Sequence, residues 1–115
     1  MNYKLIITDE YKKRLKKFLK KHPDMIERYA KCIFILENDP FHPSLRLHKL
    51  KGKLADFHSI SINMEYRVII DFIIKDYEII PIDIGTHDDV YWSVIILKKR
   101  IYKWIKIIEL QNRDL

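Results

Sequence analysis

Residues 57–84 read FHSISINMEYRVIIDFIIKDYEIIPIDI, and the spacing of apolar and polar side chains here decides the fold. Three runs rich in β-branched and aromatic residues, at about 57–63, 66–74 and 77–84, are split by the short breaks Met64-Glu65 and Lys75-Asp76. Runs of this length separated by polar pairs read as strands joined by hairpin turns. The stretch therefore predicts a three-stranded antiparallel meander.

Upstream, residues 2–7 (NYKLII) predict one more short strand, closed by Thr8 and Asp9, which are good helix N-caps. From there Tyr11, Leu15, Phe18 and Leu19 recur on one face, with Lys12, Lys13, Lys16, Lys17 and Lys20 around the rest. That pattern predicts an amphipathic helix. It stops before Pro23, which disfavours helical geometry at His22. A second helix is predicted from about Asp24 to Glu37, with Met25, Tyr29, Cys32, Ile33 and Leu36 as its apolar stripe. Asn38-Asp39-Pro40 breaks it, and a basic connection, residues 39–56, leads to the meander. The sum is an α+β domain of order β-α-α-β-β-β, with two helices on a small, mostly antiparallel sheet.

Downstream, Val94, Leu97, Ile101, Trp104 and Ile108 recur at steps of three and four with lysines between them. The spacing predicts an amphipathic C-terminal helix, so residues 1–92 are expected to form the main domain and 93–115 its extension. The 115 residues suffice for a single core. Cys32 is the one cysteine, which excludes an internal disulfide and a cysteine-built metal site; on an apolar face it is expected to be a buried thiol. No run is long and apolar enough to span a bilayer, and the N-terminus lacks signal-peptide character, so no membrane and a cytoplasmic location are expected.

The net charge of +6 is unevenly spread: +7 over residues 1–60, −5 over 61–97 and +4 over 98–115. A basic first half and tail suit a polyanion such as RNA or an acidic protein partner. Chemistry concentrates at DIGTHDDVYW, residues 83–92. The last strand is expected to end at Ile84, with Gly85 turning the chain and displaying His87 at the sheet edge. Tyr91 follows four residues on, the same side of a helical turn. If the last two strands are antiparallel neighbours, Arg67 meets His87 at one end of the sheet. Arginine, histidine and tyrosine in basic surroundings are suited to phosphate chemistry on RNA.

LHKLKGKL, MEYRVII and DIGTHDDVY, in that order and spacing over residues 3 to 91, resemble the RelE/ParE superfamily of toxins from type II toxin–antitoxin systems. The likeness is strongest to its RelE and YoeB/YafQ-like mRNA interferases. The resemblance implies a toxin that cuts mRNA in the ribosomal A site through the ribose 2′-hydroxyl, with no metal or other cofactor, and that pairs with a cognate antitoxin in a hetero-oligomer. It implies that Arg67 contacts the scissile phosphate, that His87 is the general acid and that Tyr91 positions or stacks on the substrate. His48 matches a histidine of the YafQ-like members, and Glu65 an acidic position that could act as base. Lys49, Lys51, Lys53 and Arg46 are the expected RNA contacts. The chain departs from the pattern at SISIN, where Ser59 and Ser61 stand in place of strand lysines and of the YafQ-like histidine, leaving the general base unassigned. Two alternatives share the fold: a ParE-like toxin that inhibits DNA gyrase, and an antitoxin-binding domain of weak activity.

Overall fold

In a computed structural model of the chain, residues 2–73, 76–91 and 95–96 are described. The chain begins with β1 (Lys4–Leu5), followed by α1 (Asp9–Lys21) and α2 (Ile26–Asn38). Then come β2 (His48–Lys49), β3 (His58–Ser61), β4 (Tyr66–Ile73) and β5 (Glu78–Thr86). Helix α1 starts where the Thr8 hydroxyl accepts from the Tyr11 N–H at 3.1 Å. Asp9 and Glu10 occupy its first turn and Lys20 and Lys21 its last, each complementing the helix dipole. It ends at His22, ahead of Pro23, as the sequence predicts.

The five strands lie in the order β1-β5-β4-β3-β2, with β1 parallel to β5 and every other pair antiparallel. The α+β architecture expected from sequence is what forms, with differences in detail; the second helix starts at Ile26 rather than Asp24, because Pro23–Met25 form a 3-10 turn ahead of it. Within the basic connection, His48 and Lys49 pair with Ser59 and His58 and make an extra edge strand, too short for periodicity to register. The first strand contracts to Lys4–Leu5. The last runs two residues past Ile84, because Gly85 and Thr86 still pair with Arg67 and Tyr66.

The sheet buries both faces. On one, Tyr11, Phe18, Tyr29, Cys32 and Leu36 from the helices pack on Ile60, Val68, Ile70, Phe72, Ile79 and Ile84. The Tyr11 and Tyr29 hydroxyls hydrogen-bond to each other at 2.8 Å inside this layer, satisfying two polar groups that burial would otherwise penalise. Burial pushes the Cys32 thiol up to about 11, so it is the inert thiol expected. On the other face, Leu54, Ile69, Val90 and Ile95 form a second cluster with Leu50, Phe57 and Ile82. The register shifts between Ile69 and Ile70, which puts Ile82 out of the ladder as a bulge. Ile95 and Ile96 are helical; the rest of the predicted C-terminal helix, with Val94, Leu97, Ile101, Trp104 and Ile108, lies outside the described residues. Among the described residues no helix is long and apolar enough to cross a membrane.

Candidate active-site cleft

The second cluster supports a cleft of about 450 Å³ that opens beside β2. One wall is the strand and loop His48 to Gly52 with Leu54, and the other is His87 and Tyr91. Residues 87–91 are helical, so His87 and Tyr91 share one side of a single turn, their rings 6.2 Å apart. Val90, in the same turn, is buried with Leu54 and Ile69 and so anchors the pair. Tyr91 is 38% exposed and so presents its ring to solvent rather than to the core.

His48 is fixed by its backbone neighbour. Its Nδ1 lies 2.9 Å from the Arg46 carbonyl oxygen. A carbonyl can only accept, so Nδ1 carries the proton and, in the neutral ring, Nε2 has the lone pair. The cleft thus holds a histidine able to accept a proton and a second histidine, His87, across from it. Lys49 and Lys51 line the same cleft and give it positive charge.

Arg67 stands at the same end of the sheet. It pairs with Ser61 on one side and Gly85 on the other, two residues before His87. Its side chain is half-buried, and its Nε has no hydrogen-bond partner among the described residues. A guanidinium nitrogen buried without an acceptor is a group prepared for an anion. Ser59, fully buried, likewise has an unpartnered hydroxyl.

Arg67 does not itself line the cleft, and neither do the remaining sequence-predicted residues Glu65, Arg46 and Lys53. Glu65 sits in the β3–β4 turn, where Asn63 Oδ1 accepts from the Glu65 and Tyr66 N–H groups at 2.9 and 2.7 Å. Its carboxylate acts on the neighbouring Tyr66. Arg46 adopts the left-handed conformation that ends the short turn Pro43–Leu45 and reaches toward Met64 Sδ at 3.8 Å. Lys53 is exposed in the turn Gly52–Leu54. Among the described residues no three His, Cys, Asp or Glu side chains form a metal-ligating group.

Sequence reasoning missed Asp83 and Arg14. Asp83 is buried within β5, and its Oδ2 pairs with Arg14 of α1 at 3.2 Å. Arg14 also pairs with Glu10 at 3.2 Å. A carboxylate inside an apolar strand was the signal available, since a buried charge requires a partner.

Residues 3–91 match the YafQ family, described as bacterial toxins of type II toxin–antitoxin systems. None of the curated protein sequences matches the chain. Among solved structures, a copper-bound mutant toxin from Helicobacter pylori is 27% identical, with 77% of this chain and 98% of that one covered and a TM-score of 0.60. The E. coli DinJ–YafQ toxin–antitoxin complex gives 18% identity, 79% and 99% coverage and a TM-score of 0.64. The YoeB–YefM complex from Staphylococcus aureus gives 18%, 76% and 99%, and 0.57. These last two likenesses are of fold.

Proposed function

The chain belongs to the YafQ family of bacterial type II toxin–antitoxin toxins, and from that premise we propose that it is an endoribonuclease that cuts mRNA through the substrate's own 2′-hydroxyl. The observation that carries the reading is the pair of histidines facing one cleft, with the His48 tautomer set by the Arg46 carbonyl. His48 Nε2 takes the proton of the 2′-hydroxyl, and the 2′-oxygen attacks the adjacent phosphorus. His87 gives a proton to the departing 5′-oxygen. The P–O5′ bond breaks, leaving a 2′,3′-cyclic phosphate and a 5′-hydroxyl. Arg67 offsets the charge that builds on the phosphorane oxygens, while Tyr91 stacks on a base and Lys49 and Lys51 hold the strand. The general base that the sequence left unassigned is, on this reading, His48.

Its substrate is mRNA in the ribosomal A site, and its protein partner is a cognate antitoxin, as the complexes of DinJ with YafQ and YefM with YoeB support. The test is primer extension on mRNA from a translating extract. Wild-type protein is expected to produce cuts that need the ribosome. His87→Ala and His48→Ala should each lower cleavage by roughly a hundredfold or more, the usual worth of a proton-transfer group. Toxicity in cells without any cuts would overturn the reading and direct attention to gyrase supercoiling.

A further inference from the structure

A second groove, about 440 Å³, lies on the helix side of the strand end, between α1 and residues Asp83–Thr86. Helix α1 has the sequence DEYKKRLKKFLKK, with its acidic residues confined to the first turn. Arg14, Lys17 and Lys21 follow one another at helical steps of three and four along the groove's rim. Its floor holds an aromatic group. The Phe18, His22 and Tyr66 rings stand 4.8 to 5.0 Å apart in all three pairings. Phe18 is buried beneath, while His22 and Tyr66 are half-buried at the surface, their polar atoms 3.3 Å apart.

Cations in a row above open ring faces are what single-stranded nucleic acid requires, because phosphates meet the charges and bases stack on the rings. Arg14 is paired with both Asp83 and Glu10 at 3.2 Å, so Lys17 and Lys21 are the cations left to meet phosphates. Asp89 lines the groove from the 87–91 turn rather than from α1. The groove also joins the cleft through one ridge. Gly85 and Thr86 line the groove, and the next residue, His87, lines the cleft. Tyr66 and Arg67 are successive residues of β4, whose side chains point to opposite faces of the sheet.

We propose that the groove formed by Arg14, Lys17, Lys21, His22 and Tyr66 binds nucleotides of the substrate RNA flanking the scissile phosphate, the strand passing over the Gly85–His87 ridge. The choice of RNA as occupant rests on the ribonuclease reading. An acidic peptide would match the cations, but it would gain less from the ring faces.

The experiment is fluorescence anisotropy with fully 2′-O-methylated RNA, which binds but cannot be cut. Strands of about nine nucleotides, long enough for both sites, and about three nucleotides, long enough for one, are compared. Lys17→Gln/Lys21→Gln is expected to weaken the long strand about tenfold and to lower the salt slope by about 1.4, the contribution of two phosphate contacts on a single strand. The short strand should bind unchanged, and the melting temperature of this exposed double variant should match the parent's. Equal affinity of variant and parent for the long strand would overturn the assignment, as would failure of the parent to bind it. Retained RNA affinity with lost affinity for the cognate antitoxin would also overturn it and give the groove to the antitoxin. The two readings fail separately: groove-dependent binding without cleavage of an all-ribose mRNA in the translating extract would remove the nuclease and leave the groove.

Discussion

At the scale of single residues, the histidines show how neighbours set chemistry. His48 owes its tautomer to one backbone carbonyl, and His58, the next strand over, has a different fate. It is half-buried, its Nδ1 has no partner among the described residues, and burial lowers its pKa, with Lys49 and His48 adding to the effect and Asp71 opposing it. The sign follows from linkage. The unfolded chain takes up the proton near pH 6.5 and the folded chain only lower, so stability is lost as pH falls below about 6.5. Urea midpoints at neutral and mildly acid pH should therefore show a smaller acid-induced loss for His58→Gln than for the parent. An equal loss would mean that another group dominates. The residue types at DIGTHDDVY and MEYRVII were readable from sequence because chemistry-bearing side chains stand out against apolar runs. The part played by Asp83 was not, since its partner Arg14 lies 69 positions upstream.

Elements place these residues, and their ends matter most. Thr8 supplies the side-chain acceptor for the first turn of α1, so Thr8→Ala should cost about 1 kcal/mol, measured by urea unfolding. Gly85 is more consequential. It has φ of 158°, which L side chains rarely adopt, while a Cβ there would meet Asp89 and Val90 at ordinary contact distances of 3.5 Å. The strain of Gly85→Ala is therefore one of backbone, on the order of 1–3 kcal/mol. Relieving it would turn the 87–91 segment that carries His87 and Tyr91. Cleavage is expected to fall more than stability, and an alanine variant with full activity would show that the turn tolerates another path. Helix limits were predictable because Pro23 and Pro40 impose them locally; β2 was not, because two residues have no period.

The whole molecule is a sheet with a core on each side, and the side that carries the cleft has the thinner one. Leu54, Ile69, Val90 and Ile95 hold together the loop that carries Lys49 and Lys51 and the turn that carries His87. Ile95 is 8% exposed in this cluster. Ile95→Ala should cost about 2–4 kcal/mol, as large-to-small core changes do. Because the cleft's two walls rest on this cluster, the variant should also bind RNA more weakly at temperatures where it remains folded. Calorimetry and anisotropy on one preparation test both. The groove across the ridge rests on the thicker core, so its affinity should survive this change.

The sequence by itself determined the order of the major elements, the amphipathic faces and the residue types gathered at the chain's reactive stretch. These follow from local rules of period, capping and proline, which act within a few residues. Only the tertiary structure decided that His48 faces His87 across one cleft, that Arg67 aligns with Gly85, and that α1 builds a basic groove on the far side of the same strand end. Those facts depend on strand order and register, which are fixed when distant apolar faces bury one another and buried polar groups must find partners across the fold.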